Sequence, residues 1–180
     1  MIFPTLPTLE TERLRLRKLR MADAQDYFRY IGSSEAVTRY MLWEPHRDLS
    51  ESVASIEKAL RRYEEERCYR FGIALKETDA LIGVIELLRF DEQTDSCSFA
   101  YMLGEAFWGQ GYGTEALKAV FDFAFTQMNV KTITADHMAE NPASGRVMEK
   151  AGMRRMRLLP EKYEKKGKKM DAVEYSITIL

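Results

Sequence analysis

FAYMLGEAFWGQGYGTEAL, residues 99–117, joins an apolar run to three alternating glycines and a periodic segment. An apolar run ends near Leu103 and a short loop follows. Gly109, Gly111 and Gly113 then lead into a strongly patterned segment. Ala116, Leu117, Val120, Phe121, Ala124, Phe125 and Met128 recur on one face, which predicts a helix over Gly113–Met128. Alternate glycines let a backbone approach a ligand without side chains in the way. First-turn amides have no partner within their helix and lie at the positive end of its dipole. Strand, glycine loop and helix start together suit an anion such as a phosphate or pyrophosphate. A tight strand-to-helix turn is the plainer reading of the same glycines.

Common nucleotide motifs do not fit. GQGYGT, residues 109–114, lacks the Gly-Lys-Ser/Thr ending of a P-loop and the G-x-G-x-x-G spacing of a dinucleotide fold. It also falls too late in the chain for a first β-α turn. HRDL at His46–Leu49 mimics a kinase loop without the accompanying motifs, and reads as a helix cap.

Working outward, ERLRLRKL, through Leu14 and Leu16, alternates as a strand. Ala22–Ile31 reads as a helix ended by Gly32, and Ser34–Met41 as a short one. Asp48 followed by Glu51 opens a helix to about Arg67. Tyr69–Leu75 and Leu81–Phe90 form a hairpin, and Cys97–Leu103 is the next strand. After the central helix come a Thr- and Ile-rich strand, Lys131–His137, and a helix, Pro142–Ala151, with proline in its first turn and Gly152 just past its end. Two strands, Met153–Leu159 and Ala172–Leu180, flank a basic turn over Glu161–Lys169. This order predicts an α/β (α+β) fold, one domain over residues 1–180, with a sheet of about seven strands flanked by helices.

Composition narrows the function. The chain has 180 residues, 46% hydrophobic and 31% charged, with a net charge of -1. That argues against a phosphate-coating nucleic-acid binder. Two cysteines, Cys68 and Cys97, make neither a disulfide framework nor a zinc motif, and two histidines cannot build a multi-histidine metal site. No signal-peptide pattern opens the sequence and no apolar run is long enough to span a bilayer. A reducing, cytoplasmic setting is the expectation, with no membrane or nucleic-acid partner.

Trp108-Gly-Gln-Gly-Tyr-Gly-Thr-Glu-Ala-Leu117 resembles the acetyl-CoA pyrophosphate loop of GNAT-type N-acetyltransferases. Asn141-Pro-Ala-Ser144 with Val147-Met-Glu-Lys150-Ala-Gly152-Met resembles their second signature. Leu9-Glu-Thr-Glu-Arg-Leu-Arg-Leu-Arg17 is similar to the start of the RimJ/RimL-like branch. The likeness implies a GNAT-like, mostly antiparallel mixed sheet and direct acetyl transfer from acetyl-CoA to a primary amine. That amine is a protein N-terminus or a small molecule, and the protein is a monomer or homodimer. A non-catalytic CoA-binding module is the alternative. The chain departs from the pattern at Met148, where many relatives carry a tyrosine acid. It departs again at Ser98 and Ala100, in place of a strand glutamate and glycine.

The resemblance implies CoA contacts from Gly109, Gln110, Gly111, Tyr112, Gly113 and Thr114 by their backbone amides, and from Met102 and Leu103 by strand-like pairing with the pantetheine arm. Asn141 is an N-cap that also reaches pantetheine, and Ser144 is placed to protonate the departing thiolate. Glu86, interrupting an apolar run, and His137, with a reference pKa near neutral, are candidate general bases. An arginine-paired Glu86, a surface His137 and proton loss through water stay open beside them. Tyr40, Met41 and Trp43 fall where relatives build one wall of the acceptor pocket.

Overall fold

A computed structural model describes residues 1–64 and 67–179. Its strands are β1 (Leu9–Glu10), β2 (Leu14–Arg17), β3 (Tyr69–Leu75), β4 (Leu81–Asp91), β5 (Ser96–Leu103), β6 (Thr132–Met138), β7 (Arg154–Lys165) and β8 (Lys168–Thr178). They form one eight-stranded sheet in the order β1-β2-β3-β4-β5-β6-β8-β7. The eighth strand beyond the predicted set is the two-residue β1, too short to show periodicity. The β5–β6 pair is parallel and every other pair antiparallel. A parallel pair needs a crossover, and the helix α4 (Tyr112–Thr126) supplies it.

Strand alternation sends side chains to two layers. Leu14, Leu16, Phe71, Ile73, Ile85 and Leu87 pack with Leu117, Val120, Phe121 and Ala124 of α4 and with Met148 of α5 (Pro142–Lys150). The opposite face carries α1 (Ala24–Tyr27), α2 (Glu35–Thr38) and α3 (Leu49–Arg62). There Leu81 and Val84 meet Tyr27, Ile31, Val37 and Ile56.

The differences from the sequence reading have local causes. The segment read as one helix over 22–31 is a 3-10 turn, one α turn and a π turn over Phe28–Gly32. The helix read to Arg67 ends at Arg62, and the Glu65 and Glu66 part of that reading lies outside the described residues, as does Leu180 of the last strand. The basic turn over 161–169 is instead mostly strand. β7 runs to Lys165 and the reversal is only Lys166-Gly167, with φ of 54° and 76°. Two positive φ values suit the twist of a two-residue hairpin. β7 is an exposed edge, where charge replaces the apolar alternation that marks a buried strand.

One irregularity positions the site. β5 and β6 pair only from Ser96–Thr132 to Ser98–Thr134. Beyond that point β5 stays with β4 as far as Leu103–Gly83, and β6 stays with β8 as far as Met138–Ala172. The two middle strands therefore part, leaving a gap in the sheet.

Candidate active site

The gap opens into a cavity of about 400 Å³ that passes between the layers. Asn141, Ser144 and Met148 of α5 bound it on one side; Tyr40, Met41 and Leu42 after α2, and Lys162 and Tyr163 of β7, bound it on the other. The β7–β8 hairpin is tied to that second wall by Lys165 Nζ, which donates to the Thr38 carbonyl at 2.7 Å.

The glycine loop lies where β5 leaves the gap. Gly109 and Gly111 have φ of 75° and 85°, a region that strains residues carrying a Cβ. A Cβ on Gly109 would meet nothing within 4 Å, so that side of the loop is open. Gly113 serves packing instead. A Cβ there would lie 3.3 Å from Val147 Cγ1, and its absence lets α4 approach α5. The Trp108 indole donates to the Leu103 carbonyl at 2.7 Å and anchors the loop to the end of β5.

Glu115, in the first turn of α4, fixes the loop from below. Oε1 accepts from Thr11 Oγ1 at 2.6 Å and from the Arg13 amide at 2.9 Å, and Oε2 accepts from Arg13 Nε at 2.7 Å. Arg13 Nη1 also donates to the Gln110 carbonyl at 3.0 Å. Burial pushes the Glu115 carboxyl up, but the bonds from Thr11 and Arg13 outweigh it and hold it below the usual carboxylate range. A depressed carboxyl contributes stability above its unfolded pKa and loses it as pH falls through the folded one. Glu115→Ala is expected to lower stability at pH 7 by about 1–2 kcal/mol. The gap to the parent should shrink below about pH 4. Urea unfolding at the two pH values checks both.

Backbone direction along β5 alternates. Gly104 N–H donates to the Ile82 carbonyl at 2.8 Å, so Gly104 faces β4. The Met102 carbonyl faces it too, 2.6 Å from where a Gly83 Cβ would be. Tyr101 and Leu103 therefore turn their backbones into the gap. Of the two residues expected to form the strand edge, Leu103 faces the gap and Met102 faces β4; Tyr101 is the other gap-facing residue.

Asn141 caps α5, its Oδ1 accepting from the Ser144 amide at 3.4 Å. Ser144 Oγ lies 3.3 Å from the Tyr101 hydroxyl, whose acidity burial weakens. These hydroxyls meet at the edge of the gap, beside Met148. Cys97 is not a nucleophile: it is buried and its thiol is pushed up to about 12 by desolvation.

The two candidate bases are not brought together. Glu86 is nearly buried and is held by Arg62 Nη1 at 2.7 Å and Arg70 Nη1 at 3.0 Å; it does not line the cavity. His137 is buried rather than on the surface. Its Nδ1 donates to the Met138 carbonyl at 2.8 Å. Its Nε2 has no hydrogen-bond partner among the described residues and lies 2.7 Å from where a Gly145 Cβ would be, under α5.

Sequence reasoning missed Asp136, next to His137. Alternation puts it on the opposite face, in the cavity wall. Its oxygens accept from the Tyr163 hydroxyl and from Lys162 Nζ. The Tyr163 phenol is pushed well above its usual range, first by burial and then by the Asp136 charge. The signal was the polar alternation Thr132, Thr134, Asp136 along a strand with an apolar opposite face.

The geometry fits CoA: an open left-handed glycine loop at a helix start, beside an unpaired strand edge. A family model described as "Acetyltransferase (GNAT) domain" matches residues 13–154. The chain belongs to the GNAT acetyltransferase family. It is an enzyme of the acetyl-CoA-dependent N-acetyltransferase type, and acetyl-CoA is its cosubstrate. It is 32% identical over 172 residues to the uncharacterized N-acetyltransferase p20 of Bacillus licheniformis, covering 96% of each chain. In fold it matches a GNAT-family acetyltransferase from Bacillus anthracis, with a TM-score of 0.84 and 24% identity over 96% of this chain and 98% of that one. It also matches a spermidine N-acetyltransferase from Vibrio cholerae in complex with CoA and spermine, with a TM-score of 0.78 and 21% identity over 93% and 96%. Among the described residues, no helix of this GNAT enzyme is long and apolar enough to cross a membrane.

Proposed function

We propose that this acetyltransferase, acting as a single RimJ/RimL-like domain over residues 1–180, moves the acetyl group directly to a primary amine, that of a protein N-terminus or a small molecule. The carrying observation is the gap between β5 and β6 beside the start of α4. The amides of Gly109–Thr114 take the pyrophosphate, with Gln110 and Tyr112 serving through backbone rather than side chain. Tyr101 and Leu103 pair with the pantetheine arm as a strand edge would. A gap-facing amide also polarises the thioester carbonyl. Asn141 holds the arm at the start of α5, and Ser144 gives a proton to the departing sulfur. The acceptor comes from the side of Tyr40–Leu42 and β7.

Its proton leaves through water, because Glu86 is occupied by two guanidiniums outside the cavity and His137, although it lines the cavity, turns its Nε2 under Gly145 of α5. Glu86→Gln and His137→Gln should both keep the rise of kcat/KM with pH. Glu86→Gln should cost stability on the order of 2 kcal/mol, since it leaves Arg62 and Arg70 without their carboxylate. Loss of the pH limb in either variant makes that residue the base after all. Incubation with labelled acetyl-CoA and a panel of peptides, amino acids and polyamines tests the function. An acetylated amine supports it; CoA binding without any product favours the non-catalytic module.

A further inference from the structure

The charges around the acceptor side bear on which amine enters. The cavity is lined by one histidine, His137, and by the charged residues Arg89, Asp136, Lys162 and Glu174. Both carboxylates are occupied: Asp136 by Lys162 and Tyr163, and Glu174 by Arg157 Nε at 2.8 Å. Arg89 is exposed and has no hydrogen bond or ion pair among the described residues. It stands at the irregularity where the β4–β5 register shifts between Leu88 and Asp91, with φ of 54°. A bulge of this kind re-aims a side chain, here toward the cavity rather than along the ladder.

We propose that the acceptor amine carries an anionic group, carboxylate or phosphate, and that Arg89 binds it. A guanidinium fork matches both anions in a bidentate arrangement. A polyamine makes the opposite demand, a carboxylate free to receive its distal ammonium, and neither carboxylate in this cavity is free. The register also sets a length. Leu88 pairs with Ser98, three residues before Tyr101, so Arg89 and the Tyr101–Ser144 end of the gap are on the order of 10 Å apart. That distance suits an acidic side chain within the first residues of an extended peptide, or the phosphate of a longer aminoalkyl compound.

This inference rests on the reading of the gap as an acetyl-transfer site. The test is kcat/KM for matched acceptors: two tripeptides identical except for Asp or Lys at the third residue, and a long-chain aminoalkyl phosphate against spermidine. The parent should favour the anionic member by about ten-fold or more. Arg89→Glu should reverse the order, with the CoA thermal shift retained in that variant. A larger effect in the peptide pair identifies a peptide acceptor, and in the other pair a small molecule. Equal rates within both pairs, a preference for spermidine, or an order unchanged by Arg89→Glu would overturn the anionic acceptor while leaving acetyl transfer intact. No product from any amine would sink the transfer reading itself, and this inference with it.

Discussion

Gly111→Val is expected to abolish the thermal protection that CoA gives the parent enzyme, raising the CoA Kd by more than about a hundred-fold by displacing an anion from its amides. Gly111 is the N-cap of α4 at φ 85°, where a β-branched residue is strained. Its Cβ alone would approach Arg13 Nη2 to 3.3 Å. The valine methyls then crowd the loop that Arg13 and Glu115 hold in place. The core of α4, from Ala116 to Ala124, is untouched, so the apo protein should still unfold cooperatively. Gly109→Ala separates strain from bulk, because its Cβ enters open space on the ligand side. It should weaken CoA binding with no clash inside the protein. A Gly111→Val protein that CoA still protects as it does the parent would remove the pyrophosphate from this loop.

The second large effect is on turnover. Ser144→Ala should lower kcat by about ten- to a hundred-fold, the usual span of a general-acid contribution, with little change in CoA Kd. Burial keeps the Tyr101 phenol protonated, and its hydroxyl lies 3.3 Å from Ser144 Oγ; when the phenol is the donor of that pair, the serine's own proton is free for the sulfur. Met148 stands where many relatives carry a tyrosine and is buried, with no group to replace that hydroxyl. Turnover unaffected by Ser144→Ala would make Ser144 a helix residue only and pass the proton to water.

The shape of the glycine loop was legible in sequence because glycine is the residue that a left-handed backbone selects, and Gly109 and Gly111 both have positive φ. The central helix was legible for a similar reason: Leu117, Val120, Phe121 and Ala124 recur on one face and are buried on it. The Tyr101–Ser144 hydroxyl pair was half legible. Ser144 sits in a motif, whereas Tyr101 looks like any strand aromatic until β5 and α5 are packed together. The bases were the hardest. Glu86 breaks an apolar run as a catalytic carboxylate would, yet Arg62 and Arg70, distant in sequence, converge on it only in three dimensions. His137 and Asp136 differ by one residue, and a period of two sends them to opposite faces. The gap itself has no sequence signature. It arises because β5 follows β4 and β6 follows β8, and no propensity scale reports which partner a strand keeps.

In the proposed reaction, acetyl passes in one step from acetyl-CoA to an amine held across the gap between β5 and β6. The most direct test is to mix the enzyme with labelled acetyl-CoA, quench with and without an acceptor amine, and separate protein from small products. No label is expected on the protein in either sample, and label in the amide only when the amine is present. Labelled protein that passes its acetyl group to an amine added later would contradict it, because the reaction would then proceed through an acetyl-enzyme.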